Sequence, residues 1–266
     1  MNSHNKYIHS GTCIWCKQSE PDVSFKNAPH IVPHAIGGEE LGFDICDECN
    51  HYFGTAGKGS PLNTNLVFKE VFMASLHSLG DNARLNCKYS SAYFHYNKES
   101  GTIKLKRNLH IAAFTNQFKR SLFEVFLQKY HKTFPDETLD KFEAVRKYAR
   151  YGVGNLHVYF AYNKIILHST DEKKDISLPM NESLKTDIEQ YGYYEFFFCG
   201  HVLFLEVLPE TASKAGINGL LKLAEPFILP LDNECGLYEL KDILSFDMFY
   251  TCLSKKKFIT DNHLHR

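Results

Sequence analysis

No run of about eighteen apolar residues occurs anywhere in the 266-residue chain, which excludes a membrane-spanning helix. Nor does the chain open with a charged stretch and an apolar segment of the secretory kind, so a cytoplasmic, reducing compartment is expected. No internal repeat and no low-complexity tract interrupts it. Net charge is also scarce, at a formal −1. What is present is material for folding: 44% hydrophobic and 14% aromatic residues are enough for more than one folded unit.

The cysteines are arranged unevenly. Cys13/Cys16 and Cys46/Cys49 form two C-x-x-C pairs separated by Lys17 to Ile45, whereas Cys87, Cys199, Cys235 and Cys252 lie singly among apolar residues, as core cysteines do. Each pair sets two thiols at the reach needed to bind one tetrahedral ion, and four soft sulfurs with no open position suit structural Zn2+. Buried free cysteines or two disulfides are the alternatives. Paired spacing without a secretory signal favours the metal.

Between the pairs, Val23 to Lys26 and the stretch Asn27-Ala-Pro-His30-Ile-Val-Pro-His34-Ala-Ile-Gly37-Gly38 predict a short strand carrying His30 that bends at Pro33 and Gly37-Gly38. A helix is then expected from Cys46 to Phe53, ahead of Gly54. Such a ββα unit is too small to bury a core of its own, and zinc would supply the missing folding energy.

The combined pattern C-x-x-C, H-I-V-P-x-A-I-G-G, C-D-E-C-N-x-x-x-G resembles the bacterial HNH endonucleases with a structural zinc, of the ββα-metal superfamily, over residues 13 to 54. The resemblance implies that His30 is the general base that takes a proton from water as it attacks phosphorus. It implies that Asn50, next to Cys49, ligates a catalytic Mg2+ or Mn2+ through its amide oxygen or orients the base. The ion would stabilise charge developing on phosphate and the leaving 3′ oxygen, giving a 5′-phosphate product. Many such motifs carry Asp, Glu or His just before the base, and here that position is Pro29, which has no ligand. His34 is the nearest substitute, followed by His51, Asp44 and Glu48. His34 could equally be a polar loop residue or a phosphate contact, and His51 a solvent-facing helix residue.

The remainder predicts an α+β accessory domain with an antiparallel sheet and helices. The expected division is 1–60 for the nuclease module and 61–266 for a unit serving target recognition, regulation or oligomerisation, with Gly54 to Pro61 as linker. Helical spacing is read from Leu62 to Leu79, a hairpin at 92–96 and 102–106, a helix through Phe114 to Phe126, and a second from Pro135 to Lys147. Strands are expected at 156–162, 164–168, 194–199 and 202–207, the last two joined at Gly200-His201. Other histidines, among them His77, His110, His131, His168 and His201, are read as structural or surface residues.

Charge is segregated. Residues 101–150 hold eleven Lys/Arg against five Asp/Glu, residues 151–250 seven against fifteen, and residues 1–60 four against seven. Lys104, Lys106, Arg107, Lys119 and Arg120 are therefore candidates for DNA-backbone contacts, although charge runs are often solvated helix faces. The nuclease module is too acidic to grip DNA unaided, so affinity must come from the second domain, a homodimer or a partner protein. Three functions remain open from sequence: a DNA endonuclease of restriction or antiviral defence, a zinc-knuckle nucleic-acid or protein adaptor that has lost its active site, and a ribonuclease with the same base and metal.

Overall fold

A computed structural model of the chain describes residues 7–55, 62–79, 91–97, 102–106, 109–163, 178–228 and 235–246. Its first part is a short hairpin followed by a helix. His30 bridges Leu41 in antiparallel fashion, Ile31 N donates to Glu40 O (2.9 Å) and Gly42 N to Pro29 O (2.8 Å). A single 3-10 turn, His34–Ile36, lies within it, ended by Gly37 at φ 93°. Gly38 is sterically required, since a Cβ there would meet the Val32 carbonyl oxygen at 2.1 Å. Helix α1 (Asp47–Gly54) starts from an extended Cys46, with Asp47 and Glu48 in the first turn where the helix dipole favours acidic groups.

Helix α2 (Thr64–Leu79), the hairpin β1 (Phe94–Asn97) and β2 (Thr102–Leu105), and helix α3 (Ile111–Thr133) follow the apolar periodicity. On α3, Phe114, Phe118, Leu122, Val125 and Phe126 are all buried. The helix expected from Pro135 to Lys147 is broken instead. A 3-10 turn leads into α4 (Thr138–Lys141), Phe142 leaves helical geometry at φ −112°, ψ 39°, and α5 (Glu143–Arg146) runs on into a π-helical turn, Lys147–Tyr151, that ends at Gly152 with φ 68°.

Strands β3 (Val158–Asn163), β4 (Tyr193–Phe198), β5 (His201–Glu206) and β6 (Cys235–Glu239) form an antiparallel sheet in the order β4-β5-β3-β6. Phe198 pairs with His201, so the turn is Cys199-Gly200, with φ of 50° and 77°. These left-handed values match the right-handed twist of the strands. The turn falls one residue earlier than read from sequence, and Cys199 is a half-buried turn residue packed against the core. Helices α6 (Glu182–Tyr191) and α7 (Pro209–Ile228) complete the described fold, which is α+β. The expected strand at 164–168, linker residues 56–61, and Cys87, Cys252, Arg107 and His168 lie outside the described residues.

One face of the sheet (Phe160, Tyr194, Phe196, Phe198, Leu203, Leu205) packs with α2 and α3, and the other (Ala161, Tyr193, Val202, Phe204) with α7. β5 is thus covered on both faces, which is why Val202-Leu-Phe-Leu205 is continuously apolar. The core does not stop at the N-terminal module. Ile14, Trp15, Phe25, Ile31, Ile45 and Phe53 belong to the same hydrophobic cluster as Phe118, Phe126 and Phe246.

Candidate active site

The four paired cysteines converge. Their Sγ atoms all lie within 4.8 Å of one another, three of the residues being buried and Cys16 half-buried, and Cys16 Sγ is 3.7 Å from Cys46 Sγ. Tetrahedral Zn2+ with Zn–S bonds of about 2.3 Å needs sulfurs about 3.8 Å apart, so the quartet fits a zinc ion. Backbone bonds hold the two knuckles in place: Lys17 N donates to Cys13 O (2.8 Å) and Ile14 N to Asp44 O (2.9 Å), and Cys46 N points at Cys13 Sγ (3.4 Å). The hydrogen bond from the Cys49 thiol pushes Cys13 down to about 5, while burial pushes Cys46 up to about 12. Crowded thiols cannot all ionise without a cation between them, and that cation is what a structural metal provides. Among the described residues this is the one group of His, Cys, Asp or Glu side chains arranged to hold a metal.

The quartet fixes the hairpin beside α1. His30 and His34 are both exposed, with ring centroids 5.5 Å apart. Asn50 is half-buried on α1, its backbone N donating to Cys46 O (2.9 Å), so the metal-binding cysteines set its place directly. Residues 13–58 match the family model for HNH endonucleases. Over that stretch the N-terminal module is similar to HNH endonuclease domains. No curated protein and no solved structure matches the chain.

Several residues weighed as stand-ins for the ligand missing at Pro29 have other work in the N-terminal module. Pro29 is buried, its carbonyl closing the hairpin onto Gly42. Asp44, held at φ 54°, is buried and accepts from His9 N (2.9 Å), Ser10 N (2.8 Å), Gly11 N (3.0 Å) and His131 Nε2 (3.0 Å). His51 is exposed and bonded to Thr55 Oγ1 (3.2 Å), and Glu48 is exposed. His34 is both exposed and beside His30.

Two of the basic candidates point into the protein. Lys119 and Arg120 are buried on α3. Arg120 donates to Ala149 O (2.8 Å), to Arg150 O (3.2 Å) and to Tyr52 Oη (2.6 Å) of α1, which removes it from a phosphate-facing surface. Lys106 Nζ donates to Ser91 O (2.6 Å). Lys104 sits on β2. Helical periodicity alone does not show which carbonyls a distant turn leaves open, so the burial of Lys119 and Arg120 is not readable from sequence.

Sequence reasoning also missed what presses the N-terminal module onto the rest of the protein. Arg146 donates to Ile14 O at 2.8 Å beside the first knuckle, Lys129 pairs with Glu40 at 2.7 Å, and His131 pairs with Asp44 in the interior. Burial alone would raise Asp44, but the bonds from His131 and the backbone N–H groups of Ser10, His9 and Gly11 outweigh it and hold the carboxyl well below the usual range. A depressed carboxylate contributes stability above its unfolded pKa of about 4 and loses it as the pH falls toward the folded value. Asp44→Asn should cost about 3 kcal/mol at neutral pH by urea unfolding, since it leaves buried donors poorly matched. It should also flatten the fall in stability between about pH 4 and pH 2. An unchanged acid limb would contradict this role.

Proposed function

We propose that the chain is a metal-dependent endonuclease that hydrolyses phosphodiester bonds in DNA, in the restriction or phage-defence setting that the family resemblance implies. The observation that supports it best is the cysteine quartet, which ties together the strand bearing His30 and the helix bearing Asn50. His30 accepts a proton from the attacking water at a ring nitrogen, and its exposure lets a nucleic-acid backbone reach it. Asn50, with no side-chain hydrogen bond to another described residue, offers an amide oxygen, and His34 a second donor close to His30. These few protein donors suit Mg2+ or Mn2+, which keep most of their coordination for water and phosphate oxygens. A bound ion would neutralise charge gathering on phosphorus and on the departing 3′ oxygen.

Supercoiled plasmid incubated with the protein should be nicked or linearised in Mg2+ or Mn2+ and left intact in EDTA, with 5′-phosphate ends. Cleavage of structured RNA in place of plasmid would turn the reading to a ribonuclease. Binding of either without cleavage, under every divalent ion, would leave an adaptor.

A further inference from the structure

Helix α1 is gripped on the side away from Asn50. Asn50 and Tyr52 stand two residues apart, about 200° around the helix, so the tyrosine occupies the opposite face. The Arg150 guanidinium lies over the Tyr52 ring at 3.7 Å from its centroid, and Arg120 Nη2 donates to the Tyr52 hydroxyl at 2.6 Å. Arg120 also fastens the two carbonyls, Ala149 O and Arg150 O, at the end of the π-helical turn that delivers Arg150. Arg150 thus bears on α1 at the residue two beyond Asn50. π-helical turns of this kind concentrate at functional sites, and here the wider turn is what sets Arg150 against α1.

We propose that Arg150 is a positioning residue for the nuclease reaction: by stacking on Tyr52 beside the cysteine quartet it fixes the rotation of α1 and therefore the direction of Asn50 toward His30. This rests on the endonuclease reading above. The helix has only eight residues, held at the quartet by Cys46 and Cys49 and through Phe53 on Trp15, and the Arg150–Tyr52 stack is the brace on its remaining face. A displacement of about 1 Å in such a site costs about 100-fold in rate. The planar guanidinium is the operative feature. Lysine keeps the charge but cannot stack as a plane.

The test compares wild type with Arg150→Ala, Arg150→Lys, Tyr52→Ala and the Arg150→Ala/Tyr52→Ala double variant, measuring kcat and KM on a labelled duplex together with zinc content. Both Arg150 variants should lose about 10- to 100-fold in kcat, with KM within about twofold and zinc retained. The double variant should be no worse than the poorer single one, because the two side chains act as a unit. A raised KM with kcat intact would make Arg150 a nucleic-acid contact, full rescue by lysine would make its charge alone sufficient, and zinc loss would make it part of the metal's support. Each of these overturns the proposal. A second measurement is independent of cleavage: the Asn50 side-chain amide signals in a 15N-correlated spectrum should move in both Arg150 variants and stay in place in Lys147→Ala, an exposed change in the same turn. A wild-type protein inactive on DNA would refute the endonuclease reading alone, and unmoved Asn50 signals would refute this one.

Discussion

His30→Ala should reduce DNA cleavage by about 100- to 10,000-fold, the range expected when a positioned general base is removed. The loss belongs in kcat, because the imidazole acts only as water attacks phosphorus and contributes little to holding the substrate beforehand. Stability should hardly change. His30 is exposed, and its structural part in the hairpin is the backbone bridge to Leu41, which alanine preserves. Zinc content should also stay at the wild-type level, since the four sulfurs are untouched. Free imidazole added to the reaction should restore part of the rate, as the truncated position opens to solvent. Equal rates for wild type and variant would remove His30 from the mechanism. Equal loss of rate and of zinc would show that the histidine supports the fold instead.

The parts of the molecule that local pattern controls were legible from sequence. The two C-x-x-C pairs, the hairpin between them and the start of α1 at Asp47 follow from spacing within a few residues, and α2 and α3 follow from apolar periodicity. Helix α7 was not legible, because Gly216, Gly219 and Pro226 are poor helix residues. Gly216 indeed kinks the helix, at φ 61°, and Gly219 gives room to the Tyr191 ring, which a Cβ would meet at 3.1 Å. The boundary read near residue 60 treated the nuclease module and the remainder as separate units, whereas one hydrophobic cluster runs through both. Contacts such as Arg146 to Ile14 O join residues 132 apart, a relation no local pattern encodes. The same reason accounts for Arg120: a basic residue in a charged stretch reads as a surface group until its acceptors on other elements, Tyr52 Oη, Ala149 O and Arg150 O, are known.

That shared core decides what losing the metal should do. Cys46→Ser removes a sulfur 3.7 Å from Cys16 at the residue that caps α1, while keeping the backbone N–H that points at Cys13. A three-sulfur remnant holds zinc far less tightly, and structural zinc supplies about 10 to 16 kcal/mol of apparent binding energy in small zinc-folded units. The variant should therefore purify with little zinc and lose at least about 4 kcal/mol of stability, the scale reserved for loss of a metal or a core anchor. The damage should spread beyond the module. Trp15 packs on Phe53 at 4.7 Å within the cluster that reaches Phe118 and Phe246. Loosening the knuckles exposes that apolar surface, so a single unfolding transition at lower temperature is expected rather than a melted N-terminal unit beside an intact remainder. Stripping wild type with a chelator should reproduce the shift, and Cys235→Ser, on edge strand β6, should leave zinc and the transition unchanged. Full zinc retention in Cys46→Ser would remove that cysteine from the metal site, and an early melt of the N-terminal unit alone would show that the shared cluster does not couple the two parts.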